Sequence, residues 1–345
     1  MGKLSKRILV ICSIIILPIV IYSTFEGEPV EKSLAVDDES KESKDESGAL
    51  IHDILLIYSH PSDTNSYISE INNDKEVNTI KLDATGIFDV NSKENGNLLL
   101  SSDMVNNNVE VEPNKLDVVR KDKTEYPLNL YISQPNLKVQ GFNKDTQSNI
   151  VKITTDKDTW EYDFPPLVRN ISFNDSFVFI FSDVIEEEKS VLYKIDRETG
   201  KEELINLEHN FASDMEVISN KVVITTEGNL TVYDIDNGEV SYIALDDVKN
   251  FDQIHQRNER VYISYMKNGK SGVMALEKDL KIISSKEFEF AHNISKFKHN
   301  NLYLNTTSDY GKNNTLRIVN LDDFKITDSF KLPVKDHKLQ NLYVK

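Results

Sequence analysis

Seven short apolar runs recur along the chain, starting at Ile54, Leu98, Leu137, Phe177, Val222, Val261 and Leu302, at successive intervals of 44, 39, 40, 45, 39 and 41 residues. A near-constant period of this length, filled with β-branched and aromatic residues, is the length of one four-stranded propeller blade. The runs share letters as well as spacing: Asn97-Leu98-Leu99-Leu100, Asn136-Leu137-Lys138-Val139, Asn301-Leu302-Tyr303-Leu304 and Asn341-Leu342-Tyr343-Val344 all read Asn-Leu-x-aliphatic. A repeat cannot bury its faces alone, so the whole array from residue 49 to 345 is expected to form one domain.

The repeat beginning at Phe177 has a readable internal grammar. A strand FVFIFS is followed by a polar hairpin through Glu186-Glu187-Glu188, a strand VLYKID, a tight turn RETGK and a strand EELINL ending at Leu207. The next repeat restates it as VVITT, LTVYDID and VSYIAL, and two later copies follow. A further short strand precedes each repeat, as at Asn170-Ile171-Ser172-Phe173 and Asn293-Ile294-Ser295-Lys296. The expected fold is therefore all-β: a seven-bladed β-propeller of four-stranded antiparallel blades, preceded by an N-terminal transmembrane or signal helix. The stretch from Ser101 to Leu128 is poorly patterned, which makes the second blade the least legible. A strand from the C-terminal segment Asp336 to Val344 is expected to complete the first blade, since Ile54 leaves little room upstream for an innermost strand. Closure of that kind removes unpaired edges.

The turn sequences at Asp196 to Gly200 and Asp234 to Gly238 resemble those of quinoprotein-type and YVTN-type β-propeller repeats. That resemblance is at the level of the repeat and implies that each such turn joins the third and fourth strands of a blade. The chain departs from related patterns elsewhere. Its single tryptophan, Trp160, follows Thr159 rather than opening a Trp-Asp pair, and vicinal cysteines are absent. No cofactor is expected.

Residues Ile8 to Tyr22 are fifteen consecutive uncharged, mostly aliphatic residues preceded by Lys3, Lys6 and Arg7, the pattern of an export signal or single-span anchor. The basic cluster is expected to stay cytoplasmic, which sends the rest of the chain outside. Residues 1–25 are thus read as basic tip and anchor, and 26–48, with nine acidic and three basic residues, as a disordered spacer. Localisation at the cell membrane follows, or secretion if the signal is cleaved. The sole cysteine, Cys12, lies within the apolar segment, so no intrachain disulfide can form. A formal charge of −17 argues against nucleic acid as a partner.

No local catalytic motif is present: the chain has no Gly-x-Ser-x-Gly elbow, phosphate loop or His-Glu-x-x-His. The acidic turn Asp234 to Gly238 lacks the distal glutamate of a calcium loop, and turn chemistry accounts for it. One constellation deserves testing. Aligning the innermost strands on Ile171, Ile254, Ile294 and Leu339 puts Arg169, Asp252, His292 and His337 two residues upstream, at one mouth of the channel, where they are expected to form a ligand-binding rim. If they line a pocket, replacing His292 and Asp252 by Ala should abolish ligand binding and leave the melting temperature nearly unchanged, since solvated polar rim groups contribute little to stability. The sequence therefore points to an extracytoplasmic, monomeric scaffold that binds a protein or an envelope component. The alternatives are a propeller hydrolase or lyase with its site at the channel mouth, or a sensor of small cationic molecules.

Overall fold

The computed structural model describes residues 53–345, except 73, 147, 166, 185–188, 210, 227, 246, 247, 249 and 309–312. The expected anchor and spacer, and the Glu186-Glu187-Glu188 hairpin tip, lie outside the described residues. The chain folds into seven four-stranded antiparallel sheets, each a propeller blade. Six of them use four strands consecutive in sequence. The exception is blade 1, whose order places the last strand of the chain, Lys338–Val344, beside Asp53–Ser59.

Each apolar run is the second strand of its blade: Asp53–Ser59, Leu98–Ser101, Leu137–Asn143, Phe177–Val184, Lys221–Thr226, Arg260–Lys267 and Asn301–Ser308. These strands are covered on both faces by neighbouring blades, so they read as continuous apolar segments instead of alternating ones. Asp53–Ser59, with sequence DILLIYS, is buried at all six positions after Asp53. The fourth strands are the opposite case. Glu202–Leu207 and Asp117–Lys123 are mostly exposed, and the second of these, DVVRKDK, is exposed at every position.

That exposure explains why blade 2 is hard to read. Its third and fourth strands, Asn107–Glu112 and Asp117–Lys123, fall in the unpatterned stretch, and its third strand buries Asn108 and Glu110. Burial would raise the Glu110 carboxyl, but hydrogen bonds from Asn97, Lys93 and Asn95 outweigh it and hold the pKa at about 2.

The core is a set of layers between consecutive blades. Val139 and Val151 of blade 3 pack with Val178 and Ile180 of blade 4, and Val223 and Leu230 of blade 5 pack with Val261 and Ile263 of blade 6. The same kind of layer closes the ring, where Leu316 and Ile318 of blade 7 meet Ile54 and Leu56 of blade 1. Asn341-Leu342-Tyr343-Val344 shares the lettering of the second strands yet serves as an innermost strand, pairing Val344 with Ile54 and Leu342 with Leu56.

The Asp196 turn joins the third strand Lys189–Asp196 to the fourth strand Glu202–Leu207, and the Asp234 turn occupies the same place in blade 5. Asp196 Oδ1 accepts the backbone N–H groups of Glu198 and Thr199, while Asp234 Oδ1 accepts those of Asp236 and Asn237. Both carboxylates are thus used as local turn caps. Gly200 closes its turn at φ +68°, and Trp160 of the preceding blade lies against it. Tyr162 donates its hydroxyl hydrogen to the Gly200 carbonyl at 2.6 Å, a second contact to this turn from blade 3.

Candidate functional site at the channel mouth

Strand pairing corrects the alignment of the rim. The third strands of blades 4, 6, 7 and 1 place Asp196, Glu277, Asn320 and Asn72 opposite Phe177, Arg260, Asn301 and Asp53, which are therefore equivalent. Three residues further along, Ile180, Ile263, Leu304 and Leu56 pair with Ile171, Ile254, Ser295 and Leu342. The anchors Ile171 and Ile254 are equivalent, whereas Ile294 and Leu339 are displaced from Ser295 and Leu342. Arg169 and Asp252 consequently share a register position with Asn293 and Gln340, not with His292 and His337. The offset is present at the aligned anchors themselves, since blade 7 puts Ser295 and not Ile294 opposite Leu304, and blades 1, 4 and 6 carry a β-bulge only beyond that point.

His292 occupies the preceding position, which the other blades fill with Leu339, Ile87, Leu128, Val168, Ala212 and Phe251. All six are buried, and so is His292, at 5% exposure. In several blades a polar side chain from the preceding blade ties down the segment at this point. Ser59 Oγ accepts the Ile87 N–H at 2.8 Å, Asn149 Oδ1 accepts the Val168 N–H at 2.8 Å, and Asp183 Oδ1 accepts the Phe211 N–H at 3.0 Å. In blade 7 the imidazole plays that part: His292 Nδ1 lies 2.9 Å from Ser271 Oγ. His292 is thus a buried inter-blade tie, and its removal would orphan a buried hydroxyl at a cost of about 1–3 kcal/mol. The premise that His292 is a solvated rim group, replaceable by Ala at little cost, is at odds with this burial.

Of the four rim residues, Asp252 and His292 touch each other, with Nε2 3.2 Å from Asp252 Oδ2. Arg169 instead donates from Nε to Asp183 Oδ2 of its own blade at 3.1 Å, and the same carboxylate accepts the Ser190 hydroxyl at 2.7 Å. His337 lies 3.4 Å from Asp63, with the rings of His60 and Tyr67 beside it. All four sit at or just before the N-terminal ends of innermost strands.

Ser271, His292 and Asp252 have the connectivity of a hydrolytic triad with the two ring nitrogens exchanged, but the exposure is inverted. With Nε2–H donating to Asp252 Oδ2, Nδ1 is left to accept the Ser271 hydroxyl, so the hydrogen bonds run from serine to imidazole to carboxylate. Ser271 is completely buried, while the Asp252 side chain is 40% exposed. A nucleophile must reach its substrate. Here the open end of the relay is the carboxylate, which also accepts the Ser295 hydroxyl hydrogen. A cavity of about 180 Å3 opens at this point, lined by Asn250, Phe251, Asp252, Met266, His292 and Asn293. A carboxylate beside Phe251 and Met266 suits a small cation or the ammonium group of a ligand.

Acidic groups outside the expected rim lie further along the innermost strands. Asp89 and Asp214 pair with Ser101 and Thr225, which places them at the register position of Asn170 and Asn341. Burial, aided by the negative charge of Asp103, pushes the Asp89 carboxyl up to about 7. Burial likewise raises Asp214 to about 6 and Glu216 to about 7, although Asp214 accepts the N–H groups of Ile254 and Met215. Lys296 is the cation that opposes the shifts at both Asp89 and Asp214. The available signal was an acidic residue beginning an otherwise apolar short strand, as in Asp214-Met215.

A carboxyl raised by burial costs the folded state stability as pH rises from its unfolded pKa near 4 through its folded value. Replacing Asp89 by Asn is therefore expected to stabilise the protein at pH 8 by about 1–2 kcal/mol, after discounting for partial access to water, and to leave it unchanged at pH 4. Urea unfolding at the two pH values measures this. An equal effect at both would show that the Asp89 carboxyl titrates normally.

No family model matches the chain. It is similar to the uncharacterized protein YeeG of Bacillus subtilis (strain 168), with 24% identity over 238 residues, which is 66% of this chain and 67% of that protein. Among solved structures it resembles apo AztD from Citrobacter koseri, with TM-score 0.54 and 8% identity over 85% of this chain and 98% of that one. A mutant of the Synechocystis apocarotenoid oxygenase matches with TM-score 0.58 and 11% identity, covering 86% and 92% of the two chains. A functionally unknown protein from Desulfotomaculum acetoxidans DSM 771 matches with TM-score 0.58 and 12% identity over 84% and 98%. These structural likenesses show the propeller fold alone.

Proposed function

We propose that the protein is a membrane-anchored, extracytoplasmic propeller of the quinoprotein- or YVTN-like repeat type that binds a protein or envelope component, with the channel mouth around Asp252 as its contact point. The observation that carries this reading is the Ser271-His292-Asp252 relay, which offers a carboxylate to the outside and keeps its hydroxyl inside. A binding surface needs such a fixed polar group, whereas acyl transfer needs the opposite arrangement. The apolar segment Ile8 to Tyr22 and the acidic spacer support attachment to the outer side of a membrane.

The test uses the full chain in intact cells. Externally added protease is expected to cut the spacer and release the domain. Full protection would reverse the topology, and free domain in the medium without protease would indicate a cleaved signal. Crosslinking from a photoreactive residue at position 250, compared with one at the exposed fourth-strand position 119, should give a discrete adduct from the first position alone. That adduct should disappear in Asp252→Asn. Labelling from both positions alike would refute the mouth as the contact point.

The second reading, a sensor of small cations, rests on the half-exposed Asp252 carboxylate beside Phe251 and Met266. Displacement of the adduct by a small alkylammonium would favour it.

A further inference from the structure

The chain contains three Asn-Gly steps, Asn95-Gly96, Asn237-Gly238 and Asn268-Gly269. All three lie in exposed turns whose glycine has positive φ, at 81°, 76° and 75°. Such a step is chemically self-reactive. The glycine nitrogen can attack the asparagine carboxamide carbon, because glycine has no Cβ to obstruct the five-membered ring that forms. The three steps differ in what holds their reacting groups.

The Gly96 N–H donates to the Lys93 carbonyl at 3.0 Å, while the Asn95 side chain donates to Glu110 at 3.2 Å and accepts the Asn97 N–H at 3.1 Å. The Gly238 N–H donates to the Asp234 carbonyl at 2.9 Å, and Asn237 Oδ1 accepts the Glu239 N–H at 2.8 Å. Attack at either step requires those bonds to break. The third step is bare: among the described residues neither the Gly269 N–H nor the Asn268 carboxamide has a hydrogen-bond partner. The reason is topological. Lys267 pairs with Lys270 across a two-residue hairpin turn, which leaves the central peptide outside the ladder. With φ at 50° for Asn268 and 75° for Gly269, the turn is of type I′. Rotating its central peptide gives type II′, which such a hairpin also accepts, and swings the Gly269 nitrogen toward the Asn268 side chain without moving the strands.

We propose that Asn268-Gly269 is a modification site, at which the folded protein deamidates spontaneously. The Gly269 nitrogen bonds to Asn268 Cγ, the Cγ–Nδ2 bond breaks, and the carboxamide nitrogen departs as ammonia with the proton that Gly269 gives up. Water then opens the resulting succinimide. Addition at Cγ yields aspartate, and addition at the backbone carbonyl yields isoaspartate. No oxidant or cofactor enters. The product carries a new negative charge between Lys267 and Lys270, and its isoaspartyl form has one extra carbon in the backbone of the turn. Met266, which lines the mouth cavity, is two positions away on the same hairpin, so the change arises at the edge of that cavity whatever the cavity binds.

Incubating the full chain in detergent at mildly alkaline pH tests this, with samples cut by a glutamyl endopeptidase and followed by mass spectrometry. Cleavage after Glu94, Glu110, Glu227, Glu239, Glu259 and Glu277 puts each Asn-Gly step in its own peptide, 95–110, 228–239 and 260–277. At its Asn-Gly step, peptide 260–277 should convert from amide to acid about tenfold faster than the other two, the factor imposed where ordinary hydrogen bonds must break first. It should appear as separate aspartyl and isoaspartyl isomers. In urea, where those bonds are absent, the three steps should convert at similar rates. Asn268→Gln, whose longer side chain disfavours ring closure, should abolish conversion in this peptide and leave the other two unchanged. Equal rates at the three steps of the folded protein, or a peptide 260–277 that stays amidated, would overturn the proposal. So would a lead that persists undiminished in urea, since it would then belong to the local sequence and not to the fold.

Discussion

Deleting Asp336 to Lys345 is expected to abolish the single cooperative unfolding transition or to lower its midpoint by more than roughly 10 °C. The deleted strand pairs with Asp53–Ser59 from Ile54 to Ser59 and buries Leu339, Leu342 and Val344 in the layer between blades 7 and 1. At about 1.5–3 kcal/mol for each buried aliphatic side chain, the loss approaches the 5–15 kcal/mol that holds an ordinary domain together. It also strips the hydrogen-bond partners from one edge of DILLIYS, which is buried at every position after Asp53, and leaves an aggregation-prone apolar edge. The ion pairs of Lys345 with Glu70 and Asp53 go with it. Differential scanning calorimetry of the truncated protein checks this. An unchanged midpoint would mean that the ring does not depend on its closing strand.

Gly200→Ala is expected to destabilise the protein by about 2–4 kcal/mol, against about 1 kcal/mol for Gly238→Ala. Both glycines have positive φ at equivalent turns, so both variants incur the left-handed backbone penalty. They differ in surroundings. A Cβ on Gly200 would stand 2.3 Å from Trp160 Nε1, while one on Gly238 would meet nothing within 4 Å. The difference between the two variants therefore isolates packing of blade 3 on blade 4. Trp160 is the only tryptophan, so its fluorescence should also change in Gly200→Ala. Equal destabilisation by the two variants would show that the indole yields freely.

The number of blades, their four-strand composition and the closing strand were legible because burial between blades turns each second strand into an unbroken apolar run. The same logic located the Asp196 and Asp234 turns, where an Asx cap and a glycine at positive φ are local requirements. Blade 2 was obscure because its fourth strand faces solvent entirely and its third buries Glu110, which is held by three side chains that no periodicity announces.

The amino-acid sequence by itself determined the ring, since a forty-residue repeat of strands can bury its faces only by stacking on further copies. The tertiary structure alone decided the site. Strand pairing puts Ser295, not Ile294, level with Ile171 and Ile254, which takes His292 out of register with Arg169 and Asp252, and that one-residue offset exchanges a water-accessible position for a buried one. Pairing across blades then made Ser271 the buried partner of His292 and Asp252 its outward one, a choice fixed by which neighbour each strand packs against.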